Sequence, residues 1–510
     1  MTEATTRADD EPIAALLGGG DGERTALVAP EDGEALTYAQ LSSRVETLAR
    51  RLAAAGVRRG DRVALALPNG PELIQLLLAI ALAGAAAAPL NPAYTADEFA
   101  FHLGDLQPGL LVLPAGGLPA ARAAAGSRSA TVDLVMHGAE PPDLAVDGEV
   151  VGRGAAFEAG GPDDVALLLH TSGTTSRPKQ VPLLQRNLMA SSRTIAGHYL
   201  LGREDVSFCV MPLFHVHGLV ASAFSALIAG GTVVVPRRFG PRRFWQQARE
   251  HGVTWLSAGP TLHRMILEKV DEAGAPQTLR FVRSCSSALS PSLLERAERV
   301  YEAPMLEAYG MTEASHQMAS NPLPPARRVP GSVGVATGTE VRVVDRRLRF
   351  LEEGSAGEVV VRGPGVTPGY RNNPEANVEA FFDGWFRTGD RGVLEDGYLR
   401  LEGRLKEMII RGGENISPAE IEDVLISHPA VADAVCFGVE DEKYGEQVEA
   451  AVVLSGEVTE ELLRAYCRER LTAVKVPSVI HILPQIPRTP TGKLQRRLMA
   501  SFIARRERPR

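Results

Sequence analysis

A nine-residue run at positions 171–179, TSGTTSRPK, has side chains suited to binding phosphate. Six small or hydroxylated residues come first, and Arg177, Pro178 and Lys179 close the run. Such a loop offers free backbone N–H groups, hydroxyl donors and a terminal cation, which together can wrap a polyphosphate. It is not a Walker loop, because Pro178 precedes the lysine and no Gly-Lys-Ser follows. An arbitrary Ser/Thr cluster would favour a surface turn, whereas the intact nine-residue string favours phosphate binding.

The composition argues against several other chemistries. Fifty-four Lys and Arg against 62 Asp and Glu give a net charge of −8, which argues against a sequence-independent grip on nucleic acid. The four cysteines form no CxxC pair and no zinc-type His spacing accompanies them, which argues against a disulfide framework or a structural metal. The N-terminus is acidic and polar where an export signal would be basic and then apolar, so we expect a cytoplasmic protein.

These groups must be positioned by the elements around them, and the first 400 residues alternate between strand and helix patterns. Residues 62–68 and 231–236 predict short apolar strands, while residues 38–55 and 242–251 have helical spacing. The alternation predicts an α/β fold with parallel sheets, and 510 residues allow two to four structural units. Residues 109–160 have weak periodicity and are interpreted as surface connections and short strands.

The apolar stretch at residues 73–90 is the segment most similar to a membrane span. It is rich in alanine, contains Gly84 and stops at Pro89, so it predicts a buried helix running into a buried strand. We therefore expect no membrane association.

The pattern changes near residue 404. Residues 357–362 and 397–401 predict antiparallel strands, and the residues after 404 have a small α+β pattern of their own. Its predicted elements are a helix at 418–427, strands at 432–439 and 447–454, and a helix at 459–471. We predict a large domain at 1–404 and a small C-terminal domain at 405–510.

The loop TSGTTSRPK resembles the signature loop of the adenylate-forming superfamily, which includes acyl-CoA synthetases, luciferases and carrier-protein adenylation domains. Further motifs follow in that family's order: residues 307–313 (EAYGMTE), 385–390 (WFRTGD), 403–407 (GRLKE) and 490–493 (PTGK). The resemblance covers essentially the whole chain. It implies a large N-terminal domain of parallel sheets with a small barrel-like subdomain, and a small mobile α+β C-terminal domain.

The resemblance also implies the reaction. A carboxylate is a poor electrophile, so such an enzyme first joins it to the α-phosphate of ATP, and cations stabilise the charge that develops. The implied phosphate ligands are Thr171, Ser172, Gly173, Thr174, Thr175 and Lys179, with Thr312 on the α-phosphate and Glu313 on Mg²⁺. The implied adenine contacts are Ser286, Ser287, Ala288 and Tyr309, and Glu307, Ala308 and Gly310 are also implied to bind ATP. Asp390 is implied to bind both ribose hydroxyls, and Arg404 the ribose or a phosphate.

The C-terminal domain is implied to take part in both half-reactions. Lys493 would bridge the α-phosphate and the attacking carboxylate, and Lys406 would be the hinge about which the domain rotates. Rotation would bring in Gly412 and Gly413, whose missing side chains let backbone pass close to the pantetheine arm of the co-substrate CoA. Cys285 is expected to be a packing residue, because the attacking thiol belongs to CoA.

The predicted acid pocket is polar, whereas a fatty-acyl or aryl pocket should be mostly apolar. Its candidate residues are His215, His217, His263, Arg264, Arg283, Ser287, Ser315, His316 and Gln317. This set favours a small, highly charged acid. The strings MPLFHVHGL, RSCSSALSP and EAYGMTEASHQMASNPLP resemble plant and fungal oxalate:CoA ligases, which implies that His215, Ser287 and His316 contact the dicarboxylate.

Alternatives remain open at this stage. His215 commonly acts as an aromatic gate next to ATP, and His217 or His263 can equally be satisfied core groups. The activated acid can be another small anion, such as nitrite delivered to an arylamine, or an acid loaded on a carrier protein. A catalytically silent nucleotide sensor is disfavoured, because Glu313, Asp390, Arg404 and Lys493 are all present. Gln180 stands where most of the superfamily has glycine, and its side chain either alters loop motion or faces solvent.

Overall fold

A computed structural model describes residues 11–18, 21–126, 129–137, 140–146, 148–152, 154–171, 178–412, 414–488 and 496–506. The chain forms two compact units. The first contains Met1–Ser287, Arg296–Val341 and Val361–Phe386, and the second contains Ala288–Glu295, Arg342–Val360 and Arg387–Arg510. This division groups residues 342–360 and 387–404 with the C-terminal residues, so the domain limits at 404 and 405 stay a prediction.

The first unit contains an eight-stranded sheet with a parallel centre. In spatial order its strands are Lys179–Leu184, Val165–Thr171, Ala86–Pro89, Arg62–Leu65, Leu110–Pro114, Ala130–His137, Glu140–Val146 and Glu149–Val150. The short strands expected within residues 109–160 are present, but their placement at the surface was wrong for Leu110–Pro114, which continues the parallel centre of the sheet together with Ala130–His137. Leu110–Leu113 are buried, and a strand covered on both faces is a continuous apolar run without alternation.

A second sheet of the first unit carries most of the site. In spatial order its strands are Val335–Ala336, His316–Ser320, Met305–Met311, Phe281–Ser284, Trp255–Ala258, Val206–Phe208, Thr232–Val234, Thr25–Ala29 and Glu34–Thr37. The six strands from Met305–Met311 to Thr25–Ala29 pair in parallel, and the flanking pairs are antiparallel. The predicted α/β class is confirmed.

Helices surround these strands, and their starts follow simple chemistry. The longer α-helices are Tyr38–Ala54, Pro71–Leu82, Ala96–Leu106, Pro119–Ala125, Gln185–His198, Pro241–Glu250, Pro260–Leu267, Pro291–Tyr301 and Pro374–Ala380. Six begin with proline, whose fixed φ suits the first helical position, and Thr37 and Thr95 close capping boxes at two others. Pro71–Leu82 runs into the buried strand Ala86–Pro89 as predicted. Within the described residues no helix is both long and apolar enough to cross a membrane.

The C-terminal part of the chain contains the predicted α+β pattern. Its sheet has the strand order Glu414–Ile416, Ile409–Arg411, Gly445–Leu454 and Val431–Asp441, with Val479–Ile482 also paired to Gly445–Leu454. Its helices are Pro418–Ile426, Glu460–Arg468 and Met499–Arg506. Four further strands precede it, in the order Glu340–Val344, Ala356–Arg362, Trp385–Glu395 and Tyr398–Arg404, and the last two pair antiparallel. The barrel-like subdomain and the mobility of the C-terminal domain stay predictions.

Candidate active site

Two neighbouring parallel strands end on polar side chains that contact each other. Ser257 of Trp255–Ala258 and Arg283 of Phe281–Ser284 lie opposite each other in register. The hairpin formed by Met305–Met311 and His316–Ser320 adds His316, which pairs with Met311. Ligands of open α/β sheets bind at the carboxyl ends of the strands, which is where these residues lie.

Arg283 is the centre of this cluster and is fully buried. Its Nε lies 2.9 Å from the Tyr199 hydroxyl, and its Nη1 lies 2.7 Å from Ser257 Oγ. Its Nη2 lies 3.3 Å from His316 Nδ1 and 3.0 Å from Gln317 Oε1. The Cys285 side chain also contacts this guanidinium, and no carboxylate of the described residues forms an ion pair with it, so the cluster holds a buried positive charge.

Two histidines of the cluster are held in their neutral form. His217 Nε2 lies 2.7 Å from Ser257 Oγ, its Nδ1 lies 2.9 Å from Ser286 Oγ, and its ring lies 4.9 Å from that of His316. Burial, and next the positive charge of Arg283, hold the pKa of both His217 and His316 well below the usual range. Neutral imidazoles can each donate one hydrogen bond and accept another.

Three non-glycine residues of the site have left-handed backbone conformations. The φ angles are 77° at Ser286, 52° at Ser315 and 107° at His316. Such conformations disfavour residues with a Cβ atom and cluster at functional sites. Gly310 makes room for this turn, because a Cβ atom there would lie 2.1 Å from the carbonyl oxygen of His316.

The family of the chain follows from its match to two family models. Residues 19–371 match the AMP-binding enzyme model, and residues 420–493 match the model of the C-terminal domain of AMP-binding enzymes. The chain belongs to the AMP-binding enzyme family. It is therefore an AMP-forming acid–thiol ligase that uses ATP, Mg²⁺ and CoA.

Several proteins are similar to this AMP-binding enzyme over nearly its whole length. Oxalate–CoA ligase of Arabidopsis thaliana is 47% identical over 482 residues, which is 92% of this chain and 93% of the relative. Sulfoacetate–CoA ligase of Cupriavidus necator is 37% identical over 93% of this chain and 94% of its own. The structure of O-succinylbenzoate coenzyme A synthetase from Bacillus subtilis in complex with ATP and magnesium ion is 32% identical, with a TM-score of 0.85 over 96% of this chain and 100% of that one.

Glu313 fits a magnesium ion of an AMP-binding enzyme. Its buried carboxylate accepts a hydrogen bond from the Tyr370 hydroxyl through Oε1 at 2.9 Å, and the described residues give Oε2 no hydrogen bond. Magnesium in proteins is usually held by one or two carboxylates together with substrate phosphates and water, and a single buried carboxylate oxygen fits this need. When bound, Mg²⁺ supplies positive charge that stabilises phosphate oxygens. Lys179 lies nearby, its Nζ 4.5 Å from the centre of the Tyr370 ring.

Asp105 contacts both of the strands that flank residues 172–177. Gln180 donates through Nε2 to the Asp105 carboxylate at 2.6 Å, and its Oε1 accepts from Arg371 at 3.1 Å. His170 Nε2 lies 2.8 Å from the same carboxylate. The suggestion that Gln180 faces solvent was wrong, since the residue is only 5% exposed. The predicted ligands Ser172, Gly173, Thr174 and Thr175 lie outside the described residues.

The predicted nucleotide contacts fall into two groups. Asp390 and Arg404 form an ion pair of 2.8 Å in the second unit, so the structure brings these two together. In the first unit, Thr171 ends a strand, Thr312 opens the 3-10 turn Thr312–Ala314, and Glu307 accepts from the Gly331 backbone at 2.8 Å. Ala308 and Tyr309 are buried beside Gly310, while Ser286, Ser287 and Ala288 are exposed after their strand. Their roles in binding ATP stay predictions.

The predicted C-terminal site residues are described in part. Lys406 is exposed in the 3-10 turn Leu405–Glu407, and Gly412 has a φ of 60°. Lys493 and Gly413 lie outside the described residues. The hinge, catalytic and CoA roles stay predictions.

The remaining histidines differ from each other. Both ring nitrogens of His263 have partners, the Tyr301 hydroxyl at 3.1 Å and the Arg283 carbonyl at 3.0 Å, which favours the core alternative. His215 Nε2 is buried without a hydrogen-bond partner among the described residues, and burial lowers the pKa of this histidine to about 4. Sequence reasoning missed Tyr199 and Tyr370, because a lone tyrosine far along the chain has no motif to mark it.

Proposed function

We propose that this enzyme activates oxalate as an oxalyl-adenylate and transfers the oxalyl group to CoA. The proposal is supported by the oxalate–CoA ligase of Arabidopsis thaliana, which is 47% identical over 92% of this chain. It is also supported by the chemistry of the site. The sulfoacetate–CoA ligase relative has a substrate with two anionic groups as well, which agrees with the same substrate class.

The observation that carries the proposal is the buried cation Arg283 with neutral His217 and His316 around it. Fatty or aromatic acids need apolar walls, whereas this cluster offers hydrogen-bond donors and positive potential. A small acid with a second carboxylate matches it, because charge-assisted hydrogen bonds to a carboxylate offset the loss of water.

The proposed reaction has two steps. One carboxylate oxygen of oxalate attacks the α-phosphorus of ATP, and the bond to pyrophosphate breaks. The CoA thiolate then attacks the acyl carbon, and AMP leaves with the bonding electrons of the acyl–phosphate bond. We propose that His215, Ser287 and His316 hold the second carboxylate during both steps, and that Thr312, Glu313 and Lys493 act on the phosphates.

A panel of acids tests the substrate. The purified enzyme is supplied with Mg-ATP, CoA and each of oxalate, malonate, sulfoacetate, benzoate and nitrite, and the release of AMP and pyrophosphate is measured. We expect oxalate to give the highest kcat/KM, with sustained AMP release that requires CoA. Turnover of benzoate above oxalate would contradict the proposal, and so would nitrite-driven turnover that requires an arylamine instead of CoA.

A further inference from the structure

We infer that Arg283 is a positioning and specificity-determining residue: it orders two lines of hydrogen-bond donors, which end at His316 Nε2 and Ser286 Oγ, and so selects acids that carry a second negative charge. The inference deepens the proposed function and rests on it. It comes from the direction of the hydrogen bonds around one buried guanidinium.

The first line runs from Arg283 to His316. A guanidinium has five N–H donors and no acceptor, so the contact of 3.3 Å between Nη2 and His316 Nδ1 requires that Nδ1 accepts. A neutral imidazole whose Nδ1 accepts has its proton on Nε2. The described residues give His316 Nε2 no hydrogen bond. Arg283 therefore fixes the tautomer that presents an N–H group at Nε2.

The second line runs through Ser257 and His217 to Ser286. Arg283 Nη1 donates to Ser257 Oγ at 2.7 Å, which leaves the serine proton for His217 Nε2, also at 2.7 Å. His217 Nε2 then accepts, so its Nδ1 carries the proton and donates to Ser286 Oγ at 2.9 Å. Because Ser286 Oγ accepts this hydrogen bond, its own hydroxyl proton can donate to a further acceptor. Ser286 is exposed and has a φ of 77°, which shows that its position is held against its backbone preference.

Both lines begin at the Arg283 guanidinium, which forms no ion pair with a carboxylate of the described residues. Arg283 Nε donates to the Tyr199 hydroxyl, which lies 2.6 Å from Ser320 Oγ, and no described residue forms an ion pair with this guanidinium. A buried and uncompensated charge is costly, and an anion near it offsets that cost. Hydrogen bonds in line with a charge also polarise one another, so the terminal donors are strengthened toward an anion.

An acid that carries one negative charge uses that charge for attack on ATP, and its neutral end can form only the weaker, uncharged hydrogen bonds with the two terminal donors. An acid with two negative charges places the second one there. The two lines therefore predict a preference that depends on the charge of the non-reacting end and on Arg283, which is a difference of affinities rather than a general gain in binding.

Substitution of Arg283 tests the inference through a ratio of substrates. The ratio of kcat/KM for oxalate to kcat/KM for glyoxylate, which has one carboxylate and similar size, is measured in the wild type, Arg283→Met and Ser257→Ala. We expect Arg283→Met to lower the ratio about 100-fold, mainly through the KM of oxalate, and Ser257→Ala to lower it about 10-fold because only one line is cut. The KM of ATP should stay within about 2-fold.

Arg280→Met is the matched control. Arg280 precedes the same strand, is exposed, and pairs with Asp205 and not with the two lines of donors, so its loss should leave the substrate ratio unchanged. If Arg283→Met does not fold, as judged by thermal unfolding, Ser257→Ala and Arg283→Lys decide the test. Ser257→Ala must lower the ratio of oxalate to glyoxylate, and Arg283→Lys must keep a higher ratio than Ser257→Ala does. An unchanged ratio in the folded variants overturns the inference.

Failure of the proposed function has a different signature. If the wild type does not use oxalate, the ratio is measured for the preferred acid of the panel and its analogue with one fewer charge, for example sulfoacetate and acetate. A fall of that ratio in Arg283→Met supports the role of Arg283 without oxalate. If the preferred acid has a single charge, both the proposed function and the inference are wrong.

Discussion

At the scale of single residues, the site combines strained backbone with buried polar atoms that lack partners. Ser315 has a φ of 52°, is fully buried, and its Oγ has no hydrogen-bond partner among the described residues. Both features lower stability, since left-handed backbone costs about 1 kcal/mol for a residue with Cβ and an unpaired hydroxyl costs more. Such residues persist where function holds them.

Replacing Ser315 with glycine should therefore stabilise the enzyme. Glycine adopts a φ of 52° without strain and removes the unpaired hydroxyl, so we expect the free energy of unfolding to rise by about 1 kcal/mol. Denaturant unfolding at neutral pH measures it, and Ser192→Gly is a control at a helical serine whose hydroxyl donates to the Leu188 carbonyl, where glycine should destabilise. A Ser315→Gly variant less stable than wild type would show that the hydroxyl has a structural partner.

His215 offers a second prediction at this scale, because its two proposed roles respond differently to phenylalanine. An aromatic gate keeps its function in His215→Phe, whereas a hydrogen-bonding residue does not. Since Nε2 is buried without a partner, we expect His215→Phe to raise the KM of oxalate about 10-fold and leave the KM of ATP nearly unchanged.

Steady-state kinetics with each substrate varied in turn checks the His215 prediction. His215→Asn restores a donor without the ring, so it should recover part of the oxalate KM. If the phenylalanine variant behaves like wild type and the asparagine variant is impaired toward ATP, the aromatic role is correct instead.

At the scale of elements, Asp105 fastens both strands that flank residues 172–177. It lies in the helix Ala96–Leu106 and contacts His170 of one strand and Gln180 of the other. The contact also explains why glutamine replaces the glycine that is usual after the loop lysine, since glycine has no side chain to reach the carboxylate. The two strands are held at their paired ends by one acidic group.

Gln180→Gly should loosen this attachment. Two hydrogen bonds to Asp105 and one from Arg371 are lost, so we expect a loss of about 1–2 kcal/mol in unfolding free energy and a rise of several-fold in the KM of ATP. Gln180→Ala distinguishes the loss of side-chain contacts from the added backbone flexibility of glycine. It should lose the same contacts with less effect on the loop. An unchanged ATP KM in both variants would limit Gln180 to stability.

Most elements followed from local patterns, and the exceptions have physical reasons. The helix Pro71–Leu82 and the strand Ala86–Pro89 were predictable from apolar run length and Gly84. The burial of Leu110–Pro114 was not, because residues 109–160 have weak periodicity and nothing local marks which of their short strands enters the centre of the sheet. The contacts of Arg283 with Ser257 and Tyr199 were out of reach, since they join residues 26 and 84 positions apart and depend on strand order.

At the scale of the whole molecule, an acidic protein binds anionic substrates by concentrating its cations. The net charge is −8, yet Arg283 is fully buried with neutral partners, and Lys179 lies over the Tyr370 ring near Glu313. Burial strengthens such charges because the surrounding dielectric is low. The cations nearest the candidate site are therefore a buried arginine and a partly buried lysine, whatever the sign of the net charge.

Burial of histidines has a further consequence for the molecule, which is a dependence of stability on acid. Burial lowers the pKa of His263, His215 and His102 to about 4, and that of His217 and His316 well below its usual range. The unfolded chain, with histidine pKa values of about 6.5, binds more protons than the folded chain between pH 6.5 and pH 4. The contribution of these neutral histidines to the free energy of unfolding is therefore fully present above about pH 6.5, and it is lost as the pH falls from about 6.5 to about 4.

The contribution of the fully buried His263 to this loss of unfolding free energy can be measured separately. Its pKa of about 4 against about 6.5 in the unfolded chain corresponds to roughly 3 kcal/mol lost by pH 4, with most of the change below pH 6. Denaturant unfolding at pH 7 and pH 5 measures the fall. His263→Asn keeps a neutral polar side chain that does not titrate, so it should reduce the difference between the two pH values by about 1–2 kcal/mol even if it lowers stability at both. An identical pH difference in the variant and the wild type would contradict the prediction, because it would mean that His263 binds its proton equally well in the folded and the unfolded chain.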